Sequence, residues 1–154
     1  MSAEAVRVVE EIQTALTAQD VVSALDDAQA DARARRMFME LAEPDFEVVM
    51  VGPDYVSTQL EFNGLDGFRD AWRDWTSPFE AYRIEVEETI DGGDRVVSLV
   101  AMTGTTRTGG AEIKAPGAAV WTVVDGRVRR VEFHINRATA LRAAGLGPGS
   151  GPQS

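Results

Sequence analysis

Apolar and polar positions divide this chain into two halves. Up to Trp75 the apolar residues recur mostly at helical spacing, with short strands between the second and third helical stretches; beyond it they mostly alternate. In residues 3–18, Val9, Ile12 and Leu16 form one stripe, with Glu10, Glu11 and Gln13 between them. Ser2 can cap this helix and Glu4 suits its first turn. Residues 21–42 form a second helical region. Leu25, Ala28 and Ala32 give it a weak stripe, and Phe38 and Leu41 a stronger one. Asp31 and Arg35 are spaced as an i,i+4 ion pair. The run Ala-Asp-Ala-Arg-Ala-Arg-Arg in its middle reads as a solvated helix face rather than a basic binding patch. Pro44 stops the helix. Residues 46–51 are a short apolar strand, 52–54 a turn, and 55–62 hold a second short strand. In a third helix, residues 65–75, Phe68, Trp72 and Trp75 share one face at i, i+4 and i+7.

The second half reads as strands. In residues 81–90, Tyr82, Ile84 and Val86 alternate with Arg83, Glu85 and Glu87. Asp91-Gly-Gly-Asp94 turns the chain into a long central strand, residues 95–103, followed by a loose tip at 104–110. A strand beginning at 111–114 is interrupted by Pro116-Gly117 and resumes over 118–124. Asp125-Gly126 then makes a tight hairpin, because both turn residues tolerate positive φ. In the final strand Val131, Phe133 and Ile135 point one way, and Glu132, His134 and Asn136 the other. Val128 breaks that alternation, so a bulge falls near Arg129-Arg130. Residues 138–144 form a closing helix with Gly145 at its C-cap.

Helices followed by strands give an α+β class. The expected architecture is a cone-shaped, curved mixed sheet packed on three helices of the N-terminal half, with a short C-terminal helix. Residues 1–146 form a single domain, and 147–154, rich in Gly, Pro and Ser, a disordered tail. The inside of such a cone is a natural small-molecule site.

Charge narrows the partners. A net charge of -10 disfavours nucleic acid, which needs a basic footprint, and equally an anionic membrane surface. No apolar run reaches the length of a membrane span, no signal peptide is seen, and the absence of Cys makes the cytoplasm the default compartment.

Motifs are sparse. With a single His and no Cys, the chain offers no metal cluster, and it has no G-x-S-x-G elbow, P-loop or dinucleotide fingerprint. An enzyme built on it would use cofactor-free acid–base chemistry. Trp72, Trp75, Trp121, Phe133 and Met102 are either core or ligand-lining, roles that coincide inside a cone. The remaining expected pocket residues are Ile12, Leu16, Ser98, Val100, Ala119, Val131 and Ile135. His134 alternates to the outer face, and only a one-residue slip of register would bring it or Glu132 inward.

The segments 9–20, 64–72, 91–97 and 120–146 together resemble the nuclear transport factor 2-like superfamily, in particular its SnoaL-like branch. The resemblance implies a cone-like α+β barrel, a hydrophobic pocket and a homodimer through the outer face of the sheet. It also implies positions for catalytic groups. The oxyanion Tyr of ketosteroid isomerases falls at Ile12, their general-base Asp near Val49 or Met50, and their protonated Asp at Ala119. The catalytic Asp of SnoaL-type cyclases and limonene epoxide hydrolases falls at Phe133. Each position is apolar here. Two readings follow. One is an isomerase, cyclase or hydrolase acting on a hydrophobic cyclic or carbonyl compound, with His134 as base, Asp54 or Tyr55 at the mouth and Ser98 as donor. The other is a binding or carrier module with the same pocket and no chemistry.

Overall fold

A computed structural model describes residues 2–17, 20–51 and 59–146. Asp54 and Tyr55, and the tail from residue 147, lie outside the described residues. The element order is α1 (Ser2–Leu16), α2 (Val21–Leu25), α3 (Ala28–Leu41), β1 (Ala42–Val51), β2 (Gln59–Asn63), α4 (Gly64–Trp75), β3 (Phe79–Asp91), β4 (Arg95–Thr106), β5 (Glu112–Val124), β6 (Arg127–His134) and α5 (Arg137–Ala143).

The strands form one sheet in the order β2-β1-β6-β5-β4-β3. Every neighbouring pair is antiparallel except β1 and β6, which run parallel and join the N-terminal strands to the C-terminal meander. One face carries Phe46, Val48 and Met50 of β1, Val100 and Met102 of β4, Ala119 and Trp121 of β5, and Val128 and Val131 of β6. These pack with α1 and α4 residues Val9, Ile12, Phe68 and Trp72 into the main core. On the opposite face a smaller cluster forms where α5 covers Val97, Ala118 and Val120.

The closing hairpin forms as the sequence predicts. Asp125 and Gly126 sit at φ 54° and 77°, the pair of left-handed residues that a type I′ turn requires. Thr122 opposes Arg130 but Val123 opposes Val128, so Arg129 is the extra residue of a bulge. The helix α5 ends in a Schellman cap: Leu146 N–H donates to Leu141 O and Gly145 N–H to Arg142 O, with Gly145 at φ 78°.

Three expectations change. The second helical region is two helices, not one, because the Asp27 carboxylate accepts from Gln29 and Ala30 N–H and starts α3 afresh. The N-terminal half therefore holds four helices among the described residues rather than three. The strand around Pro116 is continuous over 112–124. Pro116 pairs with Ala101 of β4, while β6 ends opposite Ala118, so no neighbour there asks for its missing N–H. The first strand starts four residues earlier than the apolar run, at Ala42, and carries Pro44 on its irregular stretch beside β6.

Candidate ligand-binding site

Between α1, α4 and the inner face of the sheet lies a cavity of about 430 Å³, within the range of small-molecule sites. Its sheet wall comes from Met50, Ile84, Val86, Ser98, Val100, Met102, Ala119, Trp121 and Phe133. The helix α4 adds Phe68, Arg69, Trp72 and Trp75, spaced so that successive turns point the same way. From α1 come Gln13, Thr14 and Leu16. The short α2 and residues 30–37 of α3 line its less buried side with Val21, Ala24, Leu25, Ala30, Arg33, Ala34 and Met37. Burial gives the cavity a direction: Met50, Ser98, Val100, Met102, Ala119 and Trp121 of the sheet and Phe68 and Trp72 of α4 are buried, whereas Thr14 and Arg33 are exposed at the rim.

The aromatic wall is locked. Phe133 sits edge-on to Trp72 at 5.0 Å and to Trp121 at 6.2 Å, and Phe68 packs on it at 5.9 Å. Trp75 Nε1–H donates to the Tyr82 hydroxyl at 2.8 Å, which in turn donates to Met102 Sδ at 3.0 Å. Burial pushes the Tyr82 hydroxyl pKa up, against the pull of the Trp75 hydrogen bond, so it stays a protonated donor.

Polar groups gather at one place on the buried wall. Ser98, 1% exposed, accepts from Trp121 Nε1–H at 3.0 Å and donates to Gln13 Oε1. Gln13, 8% exposed, sends its amide N–H to Thr89 Oγ1 at 3.4 Å. An amide carries two N–H donors, and the second has no protein acceptor among the described residues. Gln13 thus brings a neutral donor to a largely apolar wall.

His134 is held elsewhere. Its Nδ1 lies 2.8 Å from Thr139 Oγ1 of α5 and its Nε2 2.9 Å from Glu132 Oε1. Both nitrogens are committed on the α5 side of the sheet, although the residue reaches the cavity lining at one edge. The network continues outward, with Arg130 donating to Glu132 at 2.9 Å and to Glu47 at 2.6 Å. The His134 hydrogen bond holds the Glu132 carboxyl below its usual range; burial opposes it and Arg130 adds to it.

The expected pocket residues Leu16, Trp72, Trp75, Ser98, Val100, Met102, Ala119, Trp121 and Phe133 all line the cavity. Three do not. Ile12 and Val131 are fully buried in packed core, and Ile135 lies past the end of β6, where alternation no longer sets its direction. Asp54 and Tyr55 fall outside the described residues. The positions that the family resemblance gives to acids and bases are apolar walls here: Met50, Ala119 and Phe133 face the cavity, and Ile12 is core. Sequence reasoning passed over Gln13, Arg33 and Arg69. Gln13 is four residues after Val9 on the buried side of α1, but a search for apolar stripes skips a polar residue at that position.

A family profile for the SnoaL-like domain matches residues 9–131. A search of curated proteins finds no match. Among solved structures, a candidate SnoaL-like polyketide cyclase from Jannaschia sp. CCS1 is similar, with a TM-score of 0.63 and 19% identity over 95% of this chain and 94% of that one. An NTF2-like protein of unknown function from Burkholderia pseudomallei aligns at 0.59 and 20% identity, over 90% and 95% of the two chains. A protein of ketosteroid isomerase-like fold from Catenulispora acidiphila, in complex with trimethylamine, aligns at 0.57 and 15% identity, over 92% and 98%. At these identities the structural likenesses establish the fold, and the profile match covers most of the sequence. The chain belongs to the SnoaL-like domain family.

Proposed function

We propose that this protein binds a hydrophobic cyclic or carbonyl-bearing small molecule inside the cone and does not transform it. The observation that carries the reading is the chemistry of the wall. Aromatic and aliphatic side chains surround about 430 Å³, a Gln13–Ser98–Trp121 cluster marks one polar point, and no Asp or Glu lines the cavity among the described residues. Proton abstraction next to a carbonyl needs a base within hydrogen-bond reach of the substrate. The His134 ring is engaged by Glu132 and Thr139 on the far face instead. A ligand carbonyl at the polar point would take the second Gln13 N–H, and the rest of the molecule would bind by area removed from water, at roughly 25 cal/mol per Å².

The test is a panel of polycyclic ketones and epoxides incubated with the protein, followed both by thermal shift and by product analysis. Stabilisation with the ligand recovered intact is the expected result. Product formation would overturn the reading in favour of an isomerase, cyclase or hydrolase, and loss of that product in His134→Ala would assign the base. The same proposal includes a homodimer through the outer face of the sheet, for which light scattering should return twice the chain mass; a monomer mass removes it.

A further inference from the structure

The chain carries 25 acidic and 15 basic side chains. The cavity wall inverts that balance: the Asp, Glu, Lys and Arg residues that line it among those described are Arg33 and Arg69 alone. Arg69 is already spoken for. It donates to Leu25 O at 2.6 Å, lies 3.2 Å from Asp31, and so ties α4 to the α2–α3 segment. Arg33 differs. It stands on the same face of α3 as Ala30, Ala34 and Met37, all of which line the cavity. It is exposed, and it has neither an ion-pair nor a hydrogen-bond partner among the described residues. Asp31, two residues before it on the helix, is engaged by Arg35 and Arg69 instead. An unpaired guanidinium therefore stands at the open end of an apolar chamber in a protein that is otherwise strongly anionic.

On the reading that this cavity is a ligand site, we propose that its ligand is an amphipathic organic anion, with an apolar ring body against the Trp72, Trp121 and Phe133 wall and a carboxylate-like group on Arg33 at the rim. A guanidinium suits such a group because its donors form a planar fork, and because it is more weakly hydrated than an ammonium. The small side chains of Ala30 and Ala34 leave space beside it for the ligand to enter.

The experiment compares two fluorescent probes that share one ring body, neutral phenylnaphthylamine and anilinonaphthalene sulfonate. Both are titrated into the full chain and into Arg33→Gln and Arg36→Gln. Arg36 is exposed on the same helix but outside the cavity lining, so its variant removes the same charge from the wrong place. The sulfonate should bind wild type about tenfold more tightly than the neutral probe, the worth of one charge-assisted contact. Arg33→Gln should lose that tenfold for the sulfonate and change the neutral probe by less than twofold, while Arg36→Gln leaves both within twofold. Equal affinities of the two probes for wild type, or equal effects of the two variants, would overturn the anion proposal while leaving the cavity reading intact. If neither probe binds, the cavity reading falls and this proposal falls with it.

Discussion

Ser98 is the residue on which the buried wall turns. Its hydroxyl is both acceptor for Trp121 and donor to Gln13, with 1% of its surface exposed. Ser98→Ala removes both roles at once and leaves an indole N–H and an amide oxygen buried without partners. That should cost about 1–3 kcal/mol, read as a lowered urea midpoint at unchanged slope. Glu132 makes a prediction in pH. Its folded pKa is lowered, so the unfolded chain takes up the proton more readily, and the stability it contributes is present above the ordinary carboxylate range and lost as pH falls through the lowered value. The stability gap between wild type and Glu132→Gln should be open at neutral pH and close in acid, which urea melts along a pH series will show. At this scale the sequence was partly legible. Periodicity alone gives Trp72 and Trp75 their inward face and Phe133 its side of β6, because a helix or strand repeats its direction. Gln13 was hidden because burial of a polar side chain depends on Ser98, a partner 85 positions away, and no local pattern encodes that.

The short helix α2 and residues 30–37 of α3 line the less buried side of the cavity, and two aspartates place them. Asp20 accepts from Ser23 N–H at the start of α2 and from Tyr82 N–H on β3, tying the segment to the sheet. Burial acts to raise its pKa, but these hydrogen bonds outweigh it and hold the carboxyl low. Asp20→Ala should cost about 2 kcal/mol in a denaturant melt, combining a lost N-cap with an orphaned strand N–H. Asp27 restarts the helix seven residues later. The break at Asp26-Asp27 was legible in kind, since Asp is a preferred N-cap, but Leu25 and Ala28 kept a helical stripe running across it. Pro116 misled in the other direction. A proline interrupts a strand only when a neighbour needs its N–H, and strand ends are set by the pairing of β5 with β6 rather than by β5 alone.

Taken whole, the molecule is a curved sheet that keeps one face for a chamber and gives the other to α5 and a charged ladder from Glu47 through Arg130 and Glu132 to His134. The α+β order and the hairpin were readable from alternation and turn chemistry; the polar cluster on the chamber wall was not, because Gln13, Ser98 and Trp121 lie far apart along the chain. All three tryptophans line the cavity, so the protein's own fluorescence reports on it directly. A ligand of about twenty heavy atoms at roughly −0.3 kcal/mol per atom binds with a Kd of tens to hundreds of micromolar. The most direct measurement is therefore a titration of phenylnaphthylamine followed by tryptophan quenching, in wild type and in Ala119→Phe, where a ring placed on β5 fills the chamber from the sheet side. The account predicts saturable quenching in wild type in that affinity range, and affinity weakened by more than tenfold in Ala119→Phe with its circular dichroism unchanged. Equal binding by the two proteins, or no quenching in either, would contradict it.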